Sequence, residues 1–275
     1  MGDADGRPSM SGMGEIWFAL ALTLIAGLAT GVGGLLTFLV KDPAPRFLAG
    51  SLGFSAGVMT YVSLVELMPQ SEHAFSTELG PAAGWAATAS FFIGIGIAAL
   101  IDRMVPDAMN PHEVPHRNEA PHRTEGAALK RLGILTAAVI AVHNFPEGFA
   151  TFMSAIQVPH LALPVAMAIA IHNIPEGIAV AVPLYQATRR RWRSIGLATL
   201  SGLSEPVGGL LGYLFLRPFF SDSMLGAVFG VIAGIMVFIS FDELLPTAES
   251  YGHHHVAMYG VIGGMALMGV SLQLL

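Results

Sequence analysis

Apolar and polar positions along the chain alternate on a long wavelength. Eight apolar runs, 17–40, 47–69, 85–105, 131–155, 161–185, 194–216, 224–247 and 254–274, are parted by polar breaks such as Gln157-Val158-Pro159-His160. An α-helix rises 1.5 Å per residue, so roughly 20 apolar residues cross the ~30 Å hydrocarbon layer of a bilayer. Each run therefore predicts a transmembrane helix, and the glycines in every run suit close helix packing in lipid. The expected fold is an all-α membrane protein with eight transmembrane helices over residues 16–275. Residues 1–15 are polar and predict a disordered N-terminal tail. The tail lacks the basic start of a signal peptide, and the run after it is too long for one, so the first run is read as a retained span.

Short matches within the runs predict an internal repeat. Ala56-Gly57-Val58-Met59 matches Ala233-Gly234-Ile235-Met236. Ser63-Leu64-Val65-Glu66-Leu67-Met68-Pro69 matches Ser240-Phe241-Asp242-Glu243-Leu244-Leu245-Pro246 at the same offset (56 to 233, 66 to 243). These matches set span 2 against span 7. An odd number of crossings separates the two, so they run in opposite directions. The chain reads as 3+2+3, with spans 1–3 and 6–8 forming an inverted repeat around spans 4 and 5. Inverted repeats with a midplane site on broken helices are a transporter signature.

Composition narrows the classes further. The chain is 53% hydrophobic and 12% charged, with a mean hydropathy of +0.64, which excludes an ordinary soluble domain. Its net charge of −6 adds little, whereas the placement of charge orients the spans. With loop 41–46 inside, Lys41, Arg46, Arg103, Arg117, Arg123, Lys130, Arg131, Arg189, Arg190, Arg191 and Arg193 all fall inside, and only Arg7 and Arg217 fall outside. The positive-inside rule then puts both termini outside the cytoplasm. The absence of Cys excludes disulfides, thiolate metal sites and cysteine catalysis. No basic stripe or nucleotide-binding loop points to nucleic acid or ATP.

The chemistry lies in two apolar runs. Ala141–Gly148, AVHNFPEG, is echoed by Ala170–Gly177, AIHNIPEG, which lays His143 on His172. His143 and Glu147, like His172 and Glu176, are four residues apart and so share a helix face. Neutral imidazole with carboxylate is a ligand pair for Zn²⁺ and similar ions. Asn144 and Asn173 add amide oxygens. Pro146 and Pro175 cannot donate to Val142 and Ile171, which frees carbonyls and kinks the helix. Such a break survives in lipid only where it faces protein or a wet cavity. Glu205, in Ser204-Glu205-Pro206, is a third carboxylate beside a proline. Buried ionisable groups in a span mark an ion path by default, and three carboxylates need cations among them.

Several further residues are candidate ligands. Glu66, near the outer end of span 2, reads as the outer ligand, and Asp102, Asp242 and Glu243 as inner, exit ligands; the plainer reading is interfacial acids that reach water. Met59 offers a thioether, although Met in a span is more often packing. Residues 106–130 form a Pro-rich cytoplasmic loop, expected to be disordered, whose His112, His116 and His122 would gather metal or merely solvate. His253, His254 and His255 are a comparable group.

HNFPEG and HNIPEG on adjacent spans, GLSEP on the next and a His-containing loop between spans 3 and 4 resemble the ZIP (Zrt-, Irt-like protein) metal transporters, closest to their bacterial ZupT-like zinc-uptake branch. The likeness covers about residues 16–275. It implies eight spans with both termini outside, a binuclear centre between spans 4, 5 and 6, metal import, and pairing as homodimers. One metal site would use His143, Glu147, His172 and Glu176. The second would use Asn144, Glu147, Asn173, Glu176 and Glu205. Where some relatives carry Gln-Asp, this chain has His172-Asn173, so the first site gains an imidazole and the second loses a carboxylate.

The expected function is a secondary transporter that carries Zn²⁺ into the cytoplasm across a bacterial inner membrane, with Fe²⁺, Mn²⁺, Cd²⁺ or Co²⁺ as alternative cargo. It is not expected to be an enzyme. The alternatives are an intramembrane metal-dependent hydrolase, against which argue the inverted repeat, for which a hydrolase has no use, and the lack of H-E-x-x-H in the two HNxPEG runs, and a metal sensor that binds without moving its ion.

Overall fold

The computed structural model describes residues 13–39, 44–104, 137, 141, 144–157, 159–219 and 221–274. Regular structure among them is helical throughout. The helices are α1 (Met13–Leu39), α2 (Pro45–Val62), α3 (Met68–Leu79), α4 (Ala83–Met104), α5 (144–157), α6 (Pro159–Thr188), α7 (Arg191–Gly202), α8 (Ser204–Leu216), α9 (Asp222–Ile239), α10 (Leu245–Ser250) and α11 (His254–Leu274). Five helical stretches, Gly14–Leu36, Pro45–Arg103, Ala162–Val182, Asp222–Ser250 and His254–Gln273, are long and apolar enough to cross a membrane. Large apolar side chains such as Ile25, Phe92, Leu200 and Ile262 stand on the outside of the helices. Lipid, unlike water, imposes no cost on such an apolar exterior, and the helix satisfies its own backbone. The protein is a multi-pass all-α membrane protein. Residues 1–12, the loop 106–130 and most of 131–143 lie outside the described residues, and with them His112, His116, His122 and His143.

Two π-helical turns interrupt the long helices. Ser63–Leu67 joins α2 to α3, and Ser240–Leu244 joins α9 to α10. Each is followed by a proline, Pro69 or Pro246, whose ring crowds the carbonyl four residues back. Widening one turn to an i→i+5 bond, Met68 N to Ser63 O and Leu245 N to Ser240 O, relieves that crowding without ending the helix. The two turns begin at Ser63 and Ser240, which stand at the offset of the sequence matches. The helix contacts follow suit: α2 packs on α11, and α9 packs on α4. A Cβ on Gly57 would collide with the Val261 carbonyl oxygen of α11, and one on Gly234 with the Phe91 carbonyl oxygen of α4. Only glycine permits this approach of helix to helix.

Span 194–216 is drawn in sequence as one helix, but the structure breaks it at Leu203, between α7 and α8. Pro206 has no N–H for the Gly202 carbonyl. Ser204 caps the break by donating from Oγ to the Ser201 carbonyl at 2.6 Å. The break puts Glu205 in the first turn of α8.

Candidate metal centre

Three helices converge on one buried cluster. α5 brings Asn144 and Glu147, α6 brings His172, Asn173 and Glu176, and α8 brings Glu205; every one of these side chains is at most 1% exposed. Ligand atoms of Glu147, His172 and Glu176 all lie within 4.8 Å of one another. His172 Nε2 is 3.2 Å from Glu147 Oε2. Within α6 the i, i+4 spacing sets His172 and Glu176 on one face, and the partner carboxylate arrives from α5.

The asparagines bind the cluster to its walls. Asn173 Nδ2 donates to Glu205 Oε1 and, at 2.8 Å, to the Ala26 carbonyl of α1. Asn144 Nδ2 reaches the Ser201 carbonyl beside the α7–α8 break at 3.5 Å. With each amide nitrogen so engaged, the amide oxygens of Asn144 and Asn173 are buried without a hydrogen-bond partner among the described residues. Such an orphaned acceptor costs about 1–3 kcal/mol, and a cation would satisfy it. Two ionised carboxylates within 4.8 Å repel by roughly 3 kcal/mol or more at an effective dielectric near 20, and a divalent ion between them would reverse that sign. Imidazole, carboxylate and amide oxygen together suit Zn²⁺ and its neighbours.

Packing and chemistry are fused here. Gly148 follows Glu147, and Gly177 follows Glu176. A Cβ on Gly148 would collide with the Glu205 carbonyl oxygen, and one on Gly177 with the Thr30 carbonyl oxygen. The ligand helices are therefore held as close to α8 and α1 as backbones allow.

Ser55 of α2 joins the site unheralded. Its Oγ lies 3.5 Å from Glu176 Oε1 and 3.4 Å from the His172 carbonyl, although α2 and α6 are distant in the chain. A buried serine in an apolar run is the only trace it leaves in the sequence. Met59, one turn along α2, is fully buried in the main apolar cluster, as is Met236. Glu66 lies half-buried in the first π-turn and accepts from Gln70 Nε2 at 3.3 Å. In the second π-turn Asp242 is exposed and Glu243 half-buried. Asp102, near the end of α4, lies within electrostatic range of Asp242. Among the described residues, none of these four acids belongs to the Glu147–His172–Glu176 cluster.

Buried imidazole and carboxylates on packed, proline-containing membrane helices define a polytopic membrane protein with a candidate intramembrane metal centre. Comparison with known proteins agrees with that class. The ZIP Zinc transporter family model matches residues 103–272. The chain is 55% identical over 262 residues to zinc transporter ZupT of Corynebacterium efficiens, covering 94% of this chain and 98% of that protein. It is 54% identical over 267 residues to zinc transporter ZupT of Chlorobium limicola, covering 96% and 100%. It is 50% identical over 277 residues to zinc transporter ZupT of Clostridium perfringens, covering 95% and 97%. The chain belongs to the ZIP family, whose members are transporters, not enzymes.

Proposed function

We propose that the protein is a secondary transporter importing Zn²⁺ into the cytoplasm of a bacterium through a binuclear centre at the membrane midplane. The convergence of Glu147, His172 and Glu176 within 4.8 Å, in full burial, is the observation that carries this reading. The name zinc transporter on relatives aligned over nearly their whole length supports zinc as the cargo, with Fe²⁺, Mn²⁺, Cd²⁺ and Co²⁺ as secondary substrates by donor chemistry. His143, one residue before Asn144, completes the first site with Glu147, His172 and Glu176. Asn144, Glu147, Asn173, Glu176 and Glu205 form the second. The chain crosses the membrane eight times, with both termini outside and spans 1–3 and 6–8 as an inverted repeat. The paired π-turns and the matching glycine seams support that arrangement.

In this mechanism Glu66 gathers the ion from outside. The central residues then replace its hydration shell: imidazole and carboxylate give affinity, and the neutral amides keep it releasable. Asp102, Asp242 and Glu243 receive it on the cytoplasmic side. Neither HNxPEG segment carries an H-E-x-x-H pairing of the kind that activates water for hydrolysis, and the string His112-Glu113-Val114-Pro115-His116 falls in the polar loop 106–130 with a proline inside it, so transport is favoured over an intramembrane hydrolase. The test is uptake into proteoliposomes loaded with a zinc-sensitive dye. Wild type should show saturable uptake, and Glu176→Ala should show none. Equal uptake by the two would refute the assignment, and tight binding without flux would favour a sensor.

A further inference from the structure

We infer that the Thr30 hydroxyl is a neutral donor to this metal centre, holding on the α1 side the place that Glu205 holds on the α8 side. The inference rests on the metal-transport reading above. Residues 27–36 read GLATGVGGLL and residues 202–211 read GLSEPVGGLL, which lays Thr30 on Glu205. The packing repeats at the same offset. Gly177 is held against the Thr30 carbonyl, and Gly148 against the Glu205 carbonyl. Gly33 meets the Ile174 carbonyl, and its counterpart Gly208 meets the Phe145 carbonyl, each the variable residue of its HNxPEG motif. Asn173 Nδ2 reaches the Ala26 carbonyl, and Asn144 Nδ2 reaches the Ser201 carbonyl. Gly27 and Gly202, also counterparts, face one another. A Cβ on Gly202 would lie 2.8 Å from Thr30 Oγ1, and one on Gly27 would lie 3.5 Å from Glu205 Cβ. The side chains at 30 and 205 thus flank one glycine pair and back onto equivalent ligand turns.

Thr30 is fully buried, and its Oγ1 has no hydrogen-bond partner among the described residues. A helical threonine ordinarily donates to the carbonyl four residues back, as Thr23, Thr60, Thr151 and Thr188 do in this protein. For Thr30 that acceptor is the Ala26 carbonyl. One of its two lone pairs serves the Thr30 amide in the helix, and the other serves Asn173 Nδ2 at 2.8 Å. The local solution is already used by a residue of the centre itself. A hydroxyl buried beside Gly202 needs another partner, and a divalent cation or its inner-shell water is the partner whose chemistry fits a hard neutral oxygen. Charge explains why the position carries no carboxylate. Glu147, Glu176 and Glu205 sum to −3, so one divalent ion leaves −1 and a second leaves +1. A fourth carboxylate would balance two ions fully and hold them, which opposes release.

The test uses the full-length purified protein and Zn²⁺, with binding measured by titration calorimetry beside uptake. Thr30→Val keeps the shape and removes the hydroxyl; its zinc affinity should fall about five- to tenfold, and Thr30→Ser should restore it to within twofold. Thr30→Glu should act the other way, retaining more zinc through gel filtration than wild type while its uptake slows at least tenfold. A purely packing role predicts no gain of bound metal in any variant. Unchanged zinc affinity in Thr30→Val, with binding abolished in Glu176→Ala, overturns the Thr30 assignment alone. Less retained zinc in Thr30→Glu than in wild type also overturns it. Absence of zinc binding by the wild type overturns both readings.

Discussion

The seams of α2 on α11 and α9 on α4 are built like the seams around the candidate metal centre, yet their consequences differ. In both, a glycine admits a neighbouring carbonyl to a distance no Cβ tolerates. Gly57 and Gly234 are flanked by apolar residues, so their contacts hold helices together without adjoining a carboxylate. Gly148 and Gly177 each follow a carboxylate of the buried cluster, so the same contact also sets where Glu147 and Glu176 stand. Lipid supplies no hydrophobic drive between helices, and close backbone packing must supply the adhesion. Where that packing adjoins ligands, adhesion and ligand geometry become one quantity.

Four experiments press on this contrast. The largest effect is expected from Gly177→Ala, which forces α6 off α1. Zinc affinity should fall more than tenfold along with thermal stability. Gly57→Ala should cost a similar stability, about 1–3 kcal/mol, while the folded protein keeps its zinc dissociation constant within twofold; equal losses of affinity in the two variants would erase the distinction. Next comes metal removal. Binding to the folded state alone stabilises by about 2.7 kcal/mol at a hundredfold excess over Kd, so chelation should lower the melting temperature by roughly 5 °C or more. The difference should vanish in the Glu147→Gln, Glu176→Gln double variant. Glu205→Gln removes one of three negative charges and preserves shape. Uptake should fall about tenfold and bound zinc per chain should drop, read by metal analysis. The smallest effect belongs to Ser55→Ala, whose hydroxyl lies 3.5 Å from Glu176 Oε1. Its loss should weaken zinc binding two- to fivefold, matching about 0.5–1 kcal/mol for one hydrogen bond, with no change in melting temperature of the metal-free protein.

The sequence marked most of the apolar helices and the polar residues of the buried cluster, for local reasons. Apolar length dictates a membrane helix, and the i, i+4 spacing of His172 and Glu176 dictates a shared face. A charged residue in an oily run, such as Glu205, is conspicuous because burial in lipid is costly. The match of Ser63–Pro69 to Ser240–Pro246 was legible too, though not that each segment is a π-turn, since a turn of i→i+4 and one of i→i+5 differ by a proline's crowding and not by pattern. The break at Leu203 was hidden for a similar reason: the run 194–216 is apolar on both sides of it. The likeness of GLATGVGGLL to GLSEPVGGLL stood in the sequence as well, but nothing local marks Thr30 as the counterpart of Glu205. Tertiary structure alone decided that Ser55 reaches Glu176, that Asn173 occupies the Ala26 carbonyl, and that Thr30 is thereby left without its usual acceptor. Those facts depend on which backbone meets which between helices far apart in the chain, and glycine-to-carbonyl contacts, not side-chain pattern, settle that meeting.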